Sequence, residues 1–199
     1  MSTPKPFYKD LQTVKAIVLG CDPTAFDKDH KRLEFEFVFD LGNDERYFAG
    51  VLANLEQVDL SVDDIYVQNL VSEYQDDETS KNEQWQQTAR ACISERKKEF
   101  DRLDPERRMP VFLTSEELYK VLLNPEDEKL KAVQLYNFPE LLPIPGESNL
   151  LGRPLIPLYR HWNYNLKKWT HYNEQVKRLF DSKFFDDIPD EKYPSIKSN

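Results

Sequence analysis

The sequence contains few of the residues on which covalent cross-links and metal centres depend. Its 199 residues include two cysteines, Cys21 and Cys92, and three histidines, His30, His161 and His171. Two cysteines cannot form a disulfide framework, and the cysteines and histidines do not follow the spacing of metal ligands. The two cysteines also fall short of the four that an iron–sulfur cluster takes. We therefore expect no metal, no iron–sulfur cluster and no other cofactor.

Long apolar runs and glycine-rich loops are also missing. No segment approaches the roughly 18 apolar residues of a membrane span, and the first residues, MSTPKPFYKDLQ, do not resemble a signal peptide. The chain has neither the glycine fingerprint of a dinucleotide site nor a GxxxxGK[ST] phosphate loop. We therefore expect a cytoplasmic monomer that makes no membrane contact. Its length suits one domain over residues 1–199, with a core at about 10–182 and a polar C-terminal tail.

Positive charge is scarce except in one segment. The net charge is −9, which argues against nonspecific binding to nucleic acid. Residues 150–180, however, hold six cations against one anion, so this segment carries +5 and the remainder −14. An acidic body with one basic face fits a protein that presents a single surface to a polyanion. A cationic helix end is the alternative interpretation.

The most informative segment is VKAIVLGCDPT, residues 14–24. Its apolar, mostly β-branched run predicts a buried strand that ends at Gly20. Asp22 follows at once, and Pro23 restricts the backbone of both residues, so the carboxylate is expected on a stiff turn. Ligand sites of open α/β sheets lie at this edge of the sheet.

The rest of the chain alternates between strand and helix patterns. Strands are predicted over 14–19, 65–71, 111–114 and 155–159, and helices over 44–57, 81–103, 115–123 and 166–180. Residues 33–39 fit an edge strand or an extended loop, residues 132–138 a possible further strand, and residues 138–154 a long exposed loop. Pro105 is expected to stop the second helix, and Thr114 with Glu117 has the spacing of a capping box. The order predicts a three-layer α/β/α fold around a mostly parallel four-stranded sheet.

Polar side chains follow three of these strands. Asp22, Asn69 and His161 each come at or just after a predicted strand end. Parallel strands share one carboxyl edge, so we expect these three groups to lie around a common cleft. The opposed positions of Asp22 and His161 are the central geometric expectation.

These residues resemble the uracil-DNA glycosylase superfamily. GCDPTA, residues 20–25, is similar to the family's GQDPYH motif, and Phe35 has the spacing of the phenylalanine that stacks on the flipped base. Asn69 in VQNLV matches the asparagine that reads the base edge. LIPLYRHWNYN, which contains His161, stands where the family's last strand leads into a histidine and a DNA-contacting loop. The resemblance covers roughly residues 10–182.

The resemblance implies a DNA glycosylase of base excision repair that acts on single- or double-stranded DNA. Breaking an N-glycosidic bond leaves positive charge on the sugar and negative charge on the departing base, and the base must first leave the duplex. Asp22 is implied to orient water and stabilise the sugar cation. His161 is implied to meet the negative charge on the base.

The base pocket and the DNA surface are implied in the same way. The residues implied to hold the base are Cys21, Thr24, Phe35 and Asn69. A wedge into the stacked bases is expected from Trp162, Tyr164 or Leu166, and phosphate contacts are expected from Arg160, Lys167 and Lys168. The motifs depart from the family pattern, because Cys21 replaces glutamine and Thr24 replaces the tyrosine that blocks the methyl group of thymine.

Each assignment has a structural alternative. Asp22 and Asn69 are also suited to capping a turn, Phe35 to packing in the core, and His161 to a surface position. Three functions therefore stay open: a glycosylase for uracil or another altered pyrimidine, an inactive relative that binds nucleic acid or protein, and a small-molecule hydrolase that uses Asp22 with His161. A nucleophilic role for Cys21 is disfavoured, because no activating group adjoins it in sequence.

Overall fold

A computed structural model describes residues 2–181. Within this range the chain adopts an α/β fold with a four-stranded, all-parallel sheet and five α-helices. The strands are β1 (Ala16–Gly20), β2 (Ile65–Asn69), β3 (Val111–Leu113) and β4 (Leu155–Pro157), and they lie in the order β2-β1-β3-β4. The predicted tail beyond residue 181 lies outside the described residues.

The strand register brings the ends of the strands to one edge. In β1, Gly20 pairs with Asn69 of β2 and Leu19 with Leu113 of β3, and Leu113 pairs in turn with Pro157 of β4. Every residue of the four strands is buried. This explains their continuous apolar runs, since a parallel sheet is normally covered on both faces.

Apart from the fourth helix, which lies where a possible strand was predicted, the helices differ from the sequence prediction mainly at their ends. They are α1 (Ala49–Glu56), α2 (Trp85–Leu103), α3 (Glu116–Leu122), α4 (Ala132–Asn137) and α5 (Thr170–Phe180). The apolar periodicity of α2 predicts a buried stripe of Trp85, Ala89, Cys92, Ile93 and Phe100; all of these are buried except Cys92, which is partly exposed. Arg96 is also buried on this helix, where it binds Glu99 and Ser72.

The cap of α3 differs from the predicted one. Ser115 is the N-cap, and its Oγ accepts the backbone N–H of Glu117 at 3.2 Å. Thr114 instead donates its hydroxyl to the carbonyl of Leu19 at 2.9 Å, which ties β3 to β1 at the sheet edge. The prediction of a capping box formed by Thr114 and Glu117 was therefore wrong: the N-cap is the next residue, Ser115.

Two other segments also differ from the predictions. Residues 132–138 contain α4 rather than a strand, because Ala132, Leu135 and Tyr136 have the i, i+3, i+4 spacing of a buried helix face. Residues 138–154 form two 3₁₀ turns and are largely covered rather than exposed; Leu142 and Leu151 are in the core.

A buried arginine joins the end of α2 to the segment before β4. The guanidinium of Arg153, with no exposed surface, donates to Asp104 Oδ2 at 2.7 Å, to the Phe100 carbonyl at 2.6 Å and to Asp101 Oδ1 at 3.1 Å. These bonds fix the amino edge of the sheet, opposite the strand ends that carry Asn69 and Asp22. No helix within residues 2–181 is long and apolar enough to cross a membrane.

Candidate functional site

A cavity of about 360 Å³ opens at the carboxyl edge of the sheet. The segments after β1, β2, β3 and β4 all contribute to its walls. Its lining includes the predicted site residues Cys21, Asp22, Thr24, Phe35, Asn69 and Arg160. The volume lies within the range of small-ligand pockets, about 300–1,000 Å³.

Asp22 is held at the wall of this cavity by two donors. The backbone N–H of Thr24 donates to Asp22 Oδ1 at 2.9 Å, which is the tight turn expected from the Asp-Pro sequence. The hydroxyl of Thr79, which comes from the distant loop before α2, donates to Asp22 Oδ2. Both carboxylate oxygens are thus oriented, although each keeps a further lone pair for a water molecule.

The loop that carries Thr79 also holds the turn after Asp22. The backbone N–H of Gln75 donates to Thr24 Oγ1 at 2.7 Å, and the Tyr74 hydroxyl accepts the backbone N–H of Phe35 at 2.8 Å. Glu78, Thr79 and Ser80 of the same loop line the cavity. The loop between β2 and α2 therefore forms one wall of the site.

Asn69 lies at the cavity floor with its amide oxygen unsatisfied. The residue is 2% exposed, and Oδ1 has no hydrogen-bond partner within the described chain. The backbone N–H of Asn69 donates to the side chain of Gln68, whose own amide donates to Glu99 at 3.1 Å. A buried acceptor without a partner is unfavourable by about 1–3 kcal/mol, so a ligand N–H that fills this gap gains binding energy.

Gly20 makes the approach of Asn69 and Phe39 possible. A Cβ at position 20 would lie 2.2 Å from Asn69 Oδ1 and 2.6 Å from Phe39 Cζ. The Phe39 ring therefore passes directly over the end of β1 beside the Asn69 amide. Only glycine leaves the room for this contact.

Phe39, rather than Phe35, is the aromatic ring next to Asn69. Phe35 also lines the cavity, but its ring packs on Tyr47, with centroids 5.2 Å apart. Phe39 adopts a left-handed backbone conformation, φ 58°, within the 3₁₀ turn Val38–Asp40. Residues 33–39 therefore form the predicted extended loop, not an edge strand, and the turn at its end brings Phe39 into the site.

The thiol of Cys21 is not suited to act as a nucleophile. Burial raises its pKa to about 12, an effect that hydrogen bonds with Ser115 and Thr79 only partly oppose. The thiolate is therefore negligible at neutral pH. Cys21 contributes a small, uncharged surface to the cavity.

The cavity lining carries more negative than positive charge. Asp22, Glu78 and Glu117 stand against one cation, Arg160. Desolvation alone would raise the pKa of Glu117, but hydrogen bonds from Lys120 and Gln86 hold it below its usual value, so this carboxylate is ionised at neutral pH. The described residues contain no group of three or more acidic, histidine or cysteine side chains placed to hold a metal ion.

His161 is not part of the cavity lining. It is exposed, and its Nδ1 accepts the backbone N–H of Asn163 at 3.3 Å as the N-cap of the turn Trp162–Tyr164. Its ring lies 5.6 Å from that of Trp162 and 6.3 Å from that of Tyr164, centroid to centroid. The structure thus brings Asp22 into the cavity with Arg160, while His161 caps the turn outside it.

The remaining residues predicted to contact DNA divide into two groups. Trp162 is 72% exposed, and Lys168 Nζ lies 5.8 Å above its ring; Lys167 is exposed beside them. Leu166 is fully buried, and Tyr164 packs on Tyr136, with ring centroids 4.7 Å apart. Trp162, Lys167 and Lys168 are therefore exposed, whereas Tyr164 is only partly exposed and Leu166 not at all.

No known family model matches the chain, and no curated protein shows significant similarity to it.

Sequence reasoning missed Phe39, Tyr47, Ser115 and the loop residues at 78–80. Glu78, Thr79 and Ser80 carry no motif, and only the folded chain brings them beside Asp22. Phe39 did have a signal, because it lies in the same alternating stripe as Phe35. The spacing from Gly20 predicted that Phe35 contacts the base. In the structure the 3₁₀ turn Val38–Asp40 places the ring of Phe39 beside Asn69 instead.

Proposed function

We propose that the protein is a DNA glycosylase that hydrolyses the N-glycosidic bond of uracil or a related altered pyrimidine. The observation that carries the proposal is the grouping of the Asp22 carboxylate, the Phe39 ring and the unsatisfied Asn69 amide around one cavity. The all-parallel four-stranded sheet is consistent with the fold that the uracil-DNA glycosylase resemblance implies.

Each group has a role that its chemistry supports. Asp22 orients the attacking water and stabilises the positive charge on the sugar. The Phe39 ring stacks on the base, a contact worth about 1–3 kcal/mol in nucleic-acid binding. Asn69 both donates and accepts, so it pairs with the polar edge of a pyrimidine, and Oδ1 gains the partner that it lacks in the unbound protein.

The DNA itself is proposed to approach from the side of the turn that follows β4. Trp162 is the exposed aromatic residue there, and Lys167 and Lys168 supply positive charge. Such contacts position DNA without reading its sequence. A base that has left the stack is then placed in the cavity.

The test is base release from single-stranded and duplex oligonucleotides that contain uracil, a thymine mismatch or other altered pyrimidines. We expect release by the wild type and a loss of at least about 100-fold in Asp22→Asn, because the carboxylate charge is removed. The amide oxygen can still accept the Thr24 N–H, and the amide NH2 can donate to the Thr79 hydroxyl in place of the bond that this hydroxyl now donates. Asp76→Asn is the matched control, since Asp76 is fully exposed outside the cavity lining.

A non-catalytic relative that binds nucleic acid is the second candidate. The excess of carboxylates in the cavity and the position of His161 outside its lining favour it. It predicts salt-dependent DNA binding without base release from any member of the panel. Release that Asp22→Asn abolishes would exclude it.

A further inference from the structure

We propose that Arg160, rather than His161, supplies the positive charge that stabilises the base as it leaves; the proposal rests on the glycosylase function. When the C1′–N bond breaks, its electron pair goes to the base, and water adds its oxygen to C1′. The proton that water loses passes to Asp22 and later to the released base anion. A donor fixed beside the base carbonyl therefore lowers the barrier to the reaction.

Arg160 is an exposed residue that lines the cavity in which such a donor is needed. It is the only lysine, arginine or histidine among the lining residues that the structure describes. Its backbone N–H donates to the carbonyl of Thr114 at 3.1 Å, which continues the pairing of β4 with β3 and brings residue 160 to the cavity. The Asn69 amide and Asp22 lie around the same cavity.

The guanidinium of Arg160 is free to bind a ligand. Within residues 2–181 it forms neither an ion pair nor a hydrogen bond, although three carboxylates line the same cavity. The charge of Arg160 nevertheless acts on the cavity wall at Cys21. Burial raises the pKa of the Cys21 thiol, and the positive charge of Arg160 partly opposes that rise. A guanidinium stays protonated throughout the useful pH range and offers several donors in one plane, which suits a carbonyl oxygen that gains negative charge.

His161 is poorly placed for the same role. Its Nδ1 is used by the Asn163 N–H, and its ring lies with Trp162 and Tyr164 outside the cavity lining. The role that the sequence resemblance implies for His161 thus passes to its neighbour, Arg160. Arg160 moves from phosphate contact to the leaving base, and His161 becomes the cap that shapes the turn.

The dependence of the rate on the leaving group distinguishes a catalytic arginine from one that binds phosphate. Single-turnover rates would be measured for Arg160→Gln, Arg160→Lys and His161→Gln on matched single-stranded oligonucleotides that carry uracil or 5-fluorouracil. Fluorine withdraws electrons and makes the base a better leaving group, so it depends less on an external charge. We expect Arg160→Gln to lower the saturating rate on uracil by about 100- to 1,000-fold and on 5-fluorouracil by clearly less.

The other variants complete the test. Arg160→Lys keeps the charge and should restore part of the rate, and His161→Gln should lower it much less than Arg160→Gln does. An equal loss of affinity on both substrates with an unchanged saturating rate would show that Arg160 binds phosphate and would overturn the proposal. A leaving-group-dependent loss in His161→Gln but not in Arg160→Gln would also overturn it. If the wild type released neither base, the proposed function itself would fail.

Discussion

The close contact at Gly20 decides whether the cavity can hold a base. The Asn69 amide and the Phe39 ring meet above a residue that has no side chain, and both groups belong to segments distant from it in sequence. A single methyl group at this position therefore tests the geometry of the site without removing any functional group.

We expect Gly20→Ala to abolish base release and to lower the free energy of unfolding by about 1–3 kcal/mol, the usual effect of overpacking a filled interior. The added Cβ would lie 2.2 Å from Asn69 Oδ1, so the amide and the Phe39 ring must move apart. Base-release rates and denaturant unfolding of the same preparation measure the two effects separately.

Gly50→Ala is the matched control for this substitution. Gly50 lies exposed in α1, and the nearest atom to an added Cβ is the Arg160 carbonyl oxygen at 3.7 Å, an ordinary contact. Alanine should stabilise this helix by roughly 0.5–1 kcal/mol. Wild-type activity in a folded Gly20→Ala protein would show that base release does not depend on the close approach of Asn69 and Phe39.

The strands were predictable from sequence, whereas some of the connecting elements were not. Runs such as AIVLG and IYVQN are buried throughout and leave little choice of structure. The segment AVQLYN is short and mixes both periodicities, and it became α4 because its apolar residues share one helical face. The cap of α3 moved from Thr114 to Ser115 because Thr114 is used to pair β3 with β1.

The burial of Arg153 could not be predicted from the sequence either, because nothing in the sequence distinguishes this arginine from an exposed one. We expect Arg153→Ala to lower the free energy of unfolding by about 3–5 kcal/mol, since Asp104 would be left buried without its partner. Arg107→Ala is the control: Arg107 also pairs with Asp101, but its side chain is 46% exposed, so about 0–1 kcal/mol is expected. Similar losses in the two variants, measured by denaturant unfolding, would contradict this account.

The same ion pairs give the stability a defined dependence on pH. Desolvation raises the pKa of Asp101, but hydrogen bonds from Arg107 and Arg153 lower it by more, so the net shift is downward. A carboxyl group whose pKa is lowered by folding stabilises the folded state at pH values above its pKa in the unfolded chain, which is near 4. That contribution is lost as the pH falls below this value towards the pKa in the folded protein. The wild type should therefore lose stability below about pH 4, and Arg153→Ala should lose less over that range.

The distribution of charge over the molecule differs from what composition alone indicates. Of the six cations in residues 150–180, Arg153 is buried in the contacts with α2, and Lys177 pairs with Asp59 at 2.9 Å. Four cations remain: Arg160, Lys167 and Lys168 at the turn after β4, and Arg178 in the last turn of α5. Sequence can count charges in a segment, but partners such as Asp59 become visible only once the chain is folded.

This smaller basic surface leads to a prediction about salt. In an Asp22→Asn background that prevents turnover, Lys167→Ala combined with Lys168→Ala should weaken DNA binding and reduce the slope of log Kd against log salt by roughly 1–2, because each phosphate contact releases about one counterion. Fluorescence anisotropy with a labelled oligonucleotide at several salt concentrations measures this slope.

A second pair of lysines tests whether the effect is local. Lys97 and Lys98 lie in the second half of α2, and Lys97 Nζ is next to Gly152, which precedes β4 at the edge of the sheet opposite the cavity. Replacing both with alanine changes the net charge by the same amount but should leave the slope unaltered. Equal changes in slope for the two pairs would mean that DNA responds to the overall charge of −9 rather than to the surface beside Trp162. A change confined to Lys167 and Lys168 would instead place the backbone of the DNA next to the cavity that holds Asp22.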